Sequence, residues 1–298
     1  MKSLAISLST KKQYGLKRVC QVWEIPRSTV YGKRKRESLK ATKQKPGPKP
    51  KIADSKILDL ICQDLEASPF HGEGHRKVHA RLRNKKGIIV GRERVRKIMG
   101  ENRLLSPYRS HQGTAKKHDG RITTDQPNVL WGTDAAKIFT SEDGWIWFFG
   151  VIEHWNAECM GWHLSKRGDR FAALEPLKMA MESEYGSLGR GAAHGLSLRS
   201  DHGSQYRSNE FIEQVKFWGI TPSFGFVREP ETNGVIERFN RTLKEQVIYG
   251  QIYKTIGELE IAIRAFVETY NEEWLLAKLN YQSPREARRV LRGKTHAA

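Results

Sequence analysis

The chain has 298 residues, 38% hydrophobic and 29% charged, with a formal net charge of +19. That length holds a catalytic-size domain and one or two small modules, and the basic excess points to a polyanionic partner. Cys20, Cys62 and Cys159 lie far apart without a CxxC pair, which excludes a disulfide framework and fits a reducing compartment. The N-terminal LAISL run is too short for a secretory segment, and WIWFFGVI (145–152) is too short to span a bilayer, so a membrane role is not expected.

The charge is unevenly spread. Residues 1–52 hold fifteen Lys/Arg against two acids, and residues 53–123 hold sixteen against eight, which together exceed the net charge of the whole chain. The front is therefore a polyanion-binding region with salt-dependent binding, and the back is near neutral.

Residues 1–36 read as a small helical module. Leu16, Val19, Cys20 and Trp23 repeat at helical spacing, Glu24 to Pro26 break the pattern, and Ser28 is the expected cap of a second helix. Two short helices around a tight turn predict a helix-turn-helix, whose second helix would offer Arg27, Ser28, Thr29, Lys33 and Arg34 to DNA. Residues 37–52 form a basic, Pro-rich linker, read as a solvated tether or a minor-groove arm.

Residues 53–105 carry three helical stretches, marked by Ile57, Leu58, Ile61 and Leu65, then Val78 and Leu82, then Val95, Ile98 and Met99. They predict a second helix-turn-helix-like DNA-binding module, with Arg92, Arg94, Arg96 and Lys97 available to face outward. His71, His75 and His79 recur every four residues, but Gly72 and Gly74 interrupt a helix there, so phosphate contact or plain surface is preferred to a zinc site. Residues 106–123 are a second linker.

Residues 124–291 read as an α/β domain: strands over Val129–Phe139, Trp145–Glu153 and Cys159–Ser165, a helix that Pro176 should kink, then strand, helix, strand and helix. Tyr281 to Pro284 would cap a last short helix, and residues 292–298 are expected to fray.

Within this domain Asp201 follows a short strand, and Glu237, with thirty-five residues between them, sits in a helix marked by Ile236, Phe239, Leu243 and Val247. Glu237, Arg241 and Lys244 share one face, since at ~100° per residue they fall within about 60° of one another. A carboxylate at a strand end beside one on a helix suits a hard divalent cation, and two such ions can clamp a phosphodiester. A third carboxylate is then expected, and VLWGTDAAKIF supplies Asp134.

WGTDAAKIF, RSDHGSQY and NGVIERFNRTLKEQ together resemble the catalytic core of the DDE transposases and retroviral-type integrases, above all the second-frame transposase proteins of bacterial insertion sequences. The resemblance covers residues 10–290 and departs at Glu229-Pro230-Glu231-Thr232, where many relatives carry Asn-Cys-Tyr-Asp. It implies an RNase H-like core with Asp134, Asp201 and Glu237 as ligands of two Mg²⁺ ions, Mn²⁺ being able to substitute, and Lys244 aimed at DNA. His202 and Gln205 would position substrate or order the loop after Asp201. It also implies double-stranded DNA as partner, a homo-oligomer on that DNA, and a place on the bacterial nucleoid in the cytoplasm. The expected activity is metal-dependent DNA cleavage and strand transfer. The competing readings are a non-enzymatic DNA-binding regulator and an RNase H-like nuclease that cuts without joining.

Overall fold

The computed structural model describes residues 6–38, 51–107, 124–224 and 234–296. It divides into two units, residues 1–53 and 54–298. The linker sequence at 39–50 and 108–123, Asn233 and the Glu229–Thr232 run lie outside the described residues.

The first unit holds α1 (Gly15–Val22) and α2 (Arg27–Ser38). Cys20 and Val30 are buried between them, while Leu16 and Val19 are half-buried. Two expectations need correction. Trp23 is 58% exposed, because α1 ends at Val22 and the chain turns through Glu24 at φ 52°, which takes Trp23 off the stripe. Ser28 is not a cap: α2 already begins at Arg27, with Thr29 N–H donating to the Pro26 carbonyl at 3.0 Å.

The second unit opens with α3 (Asp54–Glu66), α4 (His75–Asn84) and α5 (Arg92–Glu101). Ile57, Ile61, Val78, Leu82, Val95, Ile98 and Met99 form their shared core, as the spacing predicts, with Leu58 and Leu65 at its half-buried edge. Arg81 reaches between the buried carboxylates of Asp64 (2.8 Å) and Glu73 (2.6 Å). Burial pushes Glu73 up, but Lys77 and Arg81 outweigh it and hold the carboxyl below its ordinary range. His79 Nε2 lies 3.0 Å from the Val90 carbonyl oxygen, and His71 exchanges two backbone bonds with the side chain of Gln246 at 2.8 and 2.9 Å.

The remainder is built on a five-stranded sheet in the order β3-β2-β1-β4-β5. Strands β1 (Leu130–Thr140), β2 (Gly144–Glu153) and β3 (Cys159–Ser165) form an antiparallel meander, and β4 (Ser197–Ser200) and β5 (Thr221–Phe224) continue it in parallel with β1. Parallel neighbours need crossovers, supplied by α6 (Arg170–Tyr185) and by α7 (Ser204–Arg207) with α8 (Asn209–Phe217). The last helices are α9 (Gly234–Leu243), α10 (Ile256–Glu273) and α11 (Pro284–His296).

Both faces of the sheet are covered, and strand periodicity decides which residue serves which face. Trp131, Phe149 and Val151 pack with Leu177, Phe211 and Trp218 of the α6/α8 side. Ile146, Phe148 and Ile152 pack with Ile236, Phe239, Leu243, Ile263 and Tyr270 of the α9/α10 side. Burial on both faces explains why β2 reads as an unbroken apolar run. Phe70 of the helical module joins the second cluster and meets Trp274 edge-on, with ring centroids 4.8 Å apart.

Three further expectations change. Pro176 neither ends nor restarts α6, whose helix runs on to Tyr185. Its buried residues Ala173, Leu177, Ala180 and Met181 hold the helix against the sheet despite the missing N–H. The glutamate helix is not uniform: α9 passes into a π-helical turn over Lys244–Ile248, closed by Tyr249 N–H to the Lys244 carbonyl at 2.8 Å. The last helix is long, running through His296, so residues 292–296 continue it. Its start is a reciprocal capping box, with Ser283 N–H donating to Glu286 and Glu286 N–H to the Ser283 hydroxyl, both at 3.3 Å.

Candidate active site

Strand register brings the first two acids level. Gly132 pairs with Arg199 in the parallel β1/β4 ladder. Two residues further on stand Asp134, still inside β1, and Asp201, one residue past the end of β4; paired strands of a sheet lie about 4.8 Å apart. Thr133 points the other way: its hydroxyl donates to the Gly150 carbonyl at 3.0 Å and lies 3.5 Å from the Tyr206 hydroxyl. Alternation therefore turns Asp134 toward α9.

There Asn240 Nδ2 donates to Asp134 Oδ2 at 2.9 Å. Burial lifts the Asp134 carboxyl to about 6; the charges of Asp201 and Glu237 push the same way, and the Ala135 N–H and Asn240 oppose them. Desolvation also raises Glu237, against the nearby Arg241 guanidinium. Asp134 thus registers the charges of the other two acids, although among the described residues no three His, Cys, Asp or Glu side chains stand close enough to enclose an ion. The donor set is all carboxylate, brought from a mid-strand position, a strand end and a helix, which fits a hard divalent cation and not a soft one.

The loop after Asp201 is tied to it. Gly203 N–H donates to Asp201 Oδ1 at 2.9 Å, and a side chain at Gly203 would collide with that oxygen and with the Gln205 amide. His202 stacks on Phe224 at the end of β5, with centroids 6.1 Å apart and planes 17° from parallel. Arg241 is exposed beside Glu237, and Lys244 is half-buried at the start of the π turn with no carboxylate pairing with it among the described residues.

The other residues named from sequence belong to other elements of the chain. Arg27, Ser28, Thr29, Lys33 and Arg34 are all exposed on α2 around buried Val30. On α5, Arg92 and Arg96 pair with Glu93, Lys97 with Glu101, and Arg94 with Asp54. Asn240 is the site residue that sequence reasoning missed. Its signal was a polar side chain between Phe239 and Leu243 on the buried side of an amphipathic helix, where a polar group needs a partner.

Residues 124–230 and 218–284 each match the family described as Integrase core domain, and residues 72–112 match the HTH-like domain. A transposase for insertion sequence element IS629 of Shigella sonnei is 24% identical over 94% of this chain and 93% of its own length. Transposase InsD for insertion element IS2 of Escherichia coli is 28% identical over 78% of each chain. The catalytic core domain of BIV integrase aligns at 18% identity over 57% of this chain and 99% of its own, with a TM-score of 0.40.

Proposed function

We propose that this chain, an integrase-core protein with an HTH-like domain and a DNA transposase, cuts and joins DNA at Asp134, Asp201 and Glu237 with two Mg²⁺ ions. The observation that carries the assignment is the Asn240 to Asp134 bond, which ties the glutamate helix to the central strand with Asp201 level on the next strand. Asp134 with Asp201 would hold one ion and Asp134 with Glu237 the other. Such ions, when bound, supply an activated oxygen nucleophile and stabilise the leaving oxygen.

The protein's own groups do the rest. Asn240 and the Ala135 N–H fix the Asp134 carboxylate, and the Gly203 N–H fixes that of Asp201. Arg241 and Lys244 extend the cationic side of the glutamate helix along the scissile strand, where fixed cations favour charge developing on phosphate. The exposed cations of α2 and, separately, those of α5 are two proposed end-binding surfaces, with the chain acting as a homo-oligomer on bacterial DNA. Among the described residues no helix is long and apolar enough to cross a membrane.

A supercoiled plasmid carrying two element ends, incubated with the full chain and Mg²⁺, tests the reading. Cleavage with joining supports it. Binding without cleavage would make the chain a regulator, and cleavage without joining a nuclease.

A further inference from the structure

The glutamate helix has a second working face. Arg238 and Thr242, turned away from Glu237, line a cleft of about 540 Å³ between the HTH-like module and the C-terminal part of the core. Arg76 comes from the module side, and Trp274, Lys278 and Tyr281 from the core side. Among the described residues no carboxylate pairs with Arg76 or Arg238. Lys278 is exposed along its stem, but its ammonium end is tucked into the wall and donates to the His154 carbonyl at 2.8 Å. Burial of that end and the nearby Arg238 bring Lys278 down to about 8, against the pull of Glu153. Glu153 is already engaged by the Asn128 N–H at 2.7 Å, the Trp155 N–H at 3.1 Å and the Trp131 indole N–H at 3.1 Å.

An anion would relieve Arg76 and Arg238, and the aromatic walls beside them suit nucleotides. We propose that this cleft is a second DNA site, which holds the sugar-phosphate backbone of the element end engaged by the HTH-like module. The end is favoured over target DNA because the module that forms one wall is the end-binding element. DNA held there would run along one flank of α9 while the scissile phosphate lies on the other, so the helix carrying Glu237 would be gripped from both sides. The inference rests on the reading of the chain as a transposase.

The test uses the full chain and duplexes carrying the inverted repeats that flank its gene. The triple variant Arg76→Gln/Arg238→Gln/Lys278→Gln should bind ends about ten-fold or more weakly at moderate salt, and its log–log salt slope should fall by about two to three. Arg238→Lys alone should keep most of the binding. A photocrosslinking side chain at Tyr281 should label end DNA, not target DNA, when each is radiolabelled in turn. An unchanged slope in a triple variant that melts like wild type, or crosslinks to target alone, would overturn the proposal. Mg²⁺-dependent cleavage by the wild-type chain is read separately. Its absence alongside a reduced slope would remove the catalytic reading and leave the cleft as a DNA site.

Discussion

Asn240 Nδ2 donates to Asp134 Oδ2 at 2.9 Å, so the helix that carries Glu237 also holds the carboxylate in the middle of β1. Asn240 is only 7% exposed, and its Oδ1 is buried without a partner among the described residues. The side chain is therefore committed to one orientation, and through it the two acids share a frame.

Asn240→Ala should free Asp134 to rotate and lower strand transfer about 10–100-fold, the usual cost of removing a residue that orients a metal ligand. The Mg²⁺ concentration for half-maximal activity should rise in the same variant. A merely structural Asn240 would instead lower the melting temperature and leave the Mg²⁺ dependence unchanged.

Lys244 lies in the π turn and faces no carboxylate partner among the described residues. Lys244→Ala should reduce joining and abolish crosslinking from position 244 to end DNA, with little change in stability. Lys244→Arg should be partly active, since a cation remains but its donor geometry changes. A normal joining rate in Lys244→Ala would place this lysine outside the site.

The sequence made the elements around the acids legible because their constraints are local. The stripe of Ile236, Phe239 and Leu243 marks a buried helix face, and the apolar run of β2 marks a strand covered on both sides. What escaped depends on distant contacts. The π turn coincides with Gln246 reaching His71, a pairing across 175 residues that no local pattern encodes. Asn240 carries no local sign of its partner, because Asp134 lies 106 residues away in the chain. Pro176 overrode its own helix-breaking tendency because its turn is packed against β3.

That packing can be tested. A Cβ at Gly161 of β3 would stand 2.1 Å from the Pro176 carbonyl oxygen, so strand and helix must separate to admit it. Gly161→Ala should destabilise the core by about 1–3 kcal/mol. Gly293→Ala in α11, where the added methyl meets nothing, should be neutral or stabilising by up to about 1 kcal/mol. Thermal melts of the two variants read the contrast directly, and equal melting temperatures would refute the close approach.

His154 supplies a pH signature. It is 5% exposed, neither ring nitrogen has a partner among the described residues, and burial, with Lys278 and Arg199 nearby, brings it down to about 4. A base depressed in the folded state binds fewer protons there than when unfolded, so stability is full above about pH 6.5 and lost as pH falls toward 4. The loss from this group is about 3 kcal/mol at most. His154→Leu should therefore melt at least as high as wild type at pH 7 and lose less stability on acidification. Parallel melting curves from pH 7 to 4.5 would contradict this.

The central claim is that Asp134, Asp201 and Glu237 form one catalytic set. The most direct measurement is strand transfer by Asp134→Asn, Asp201→Asn and Glu237→Gln beside wild type, with end binding measured in the same samples. Each amide keeps the shape of its acid and loses the ligand charge. The account predicts that all three bind ends like wild type and yield no cleaved or joined product. Joined product from any one of them, at a rate near wild type, would contradict it.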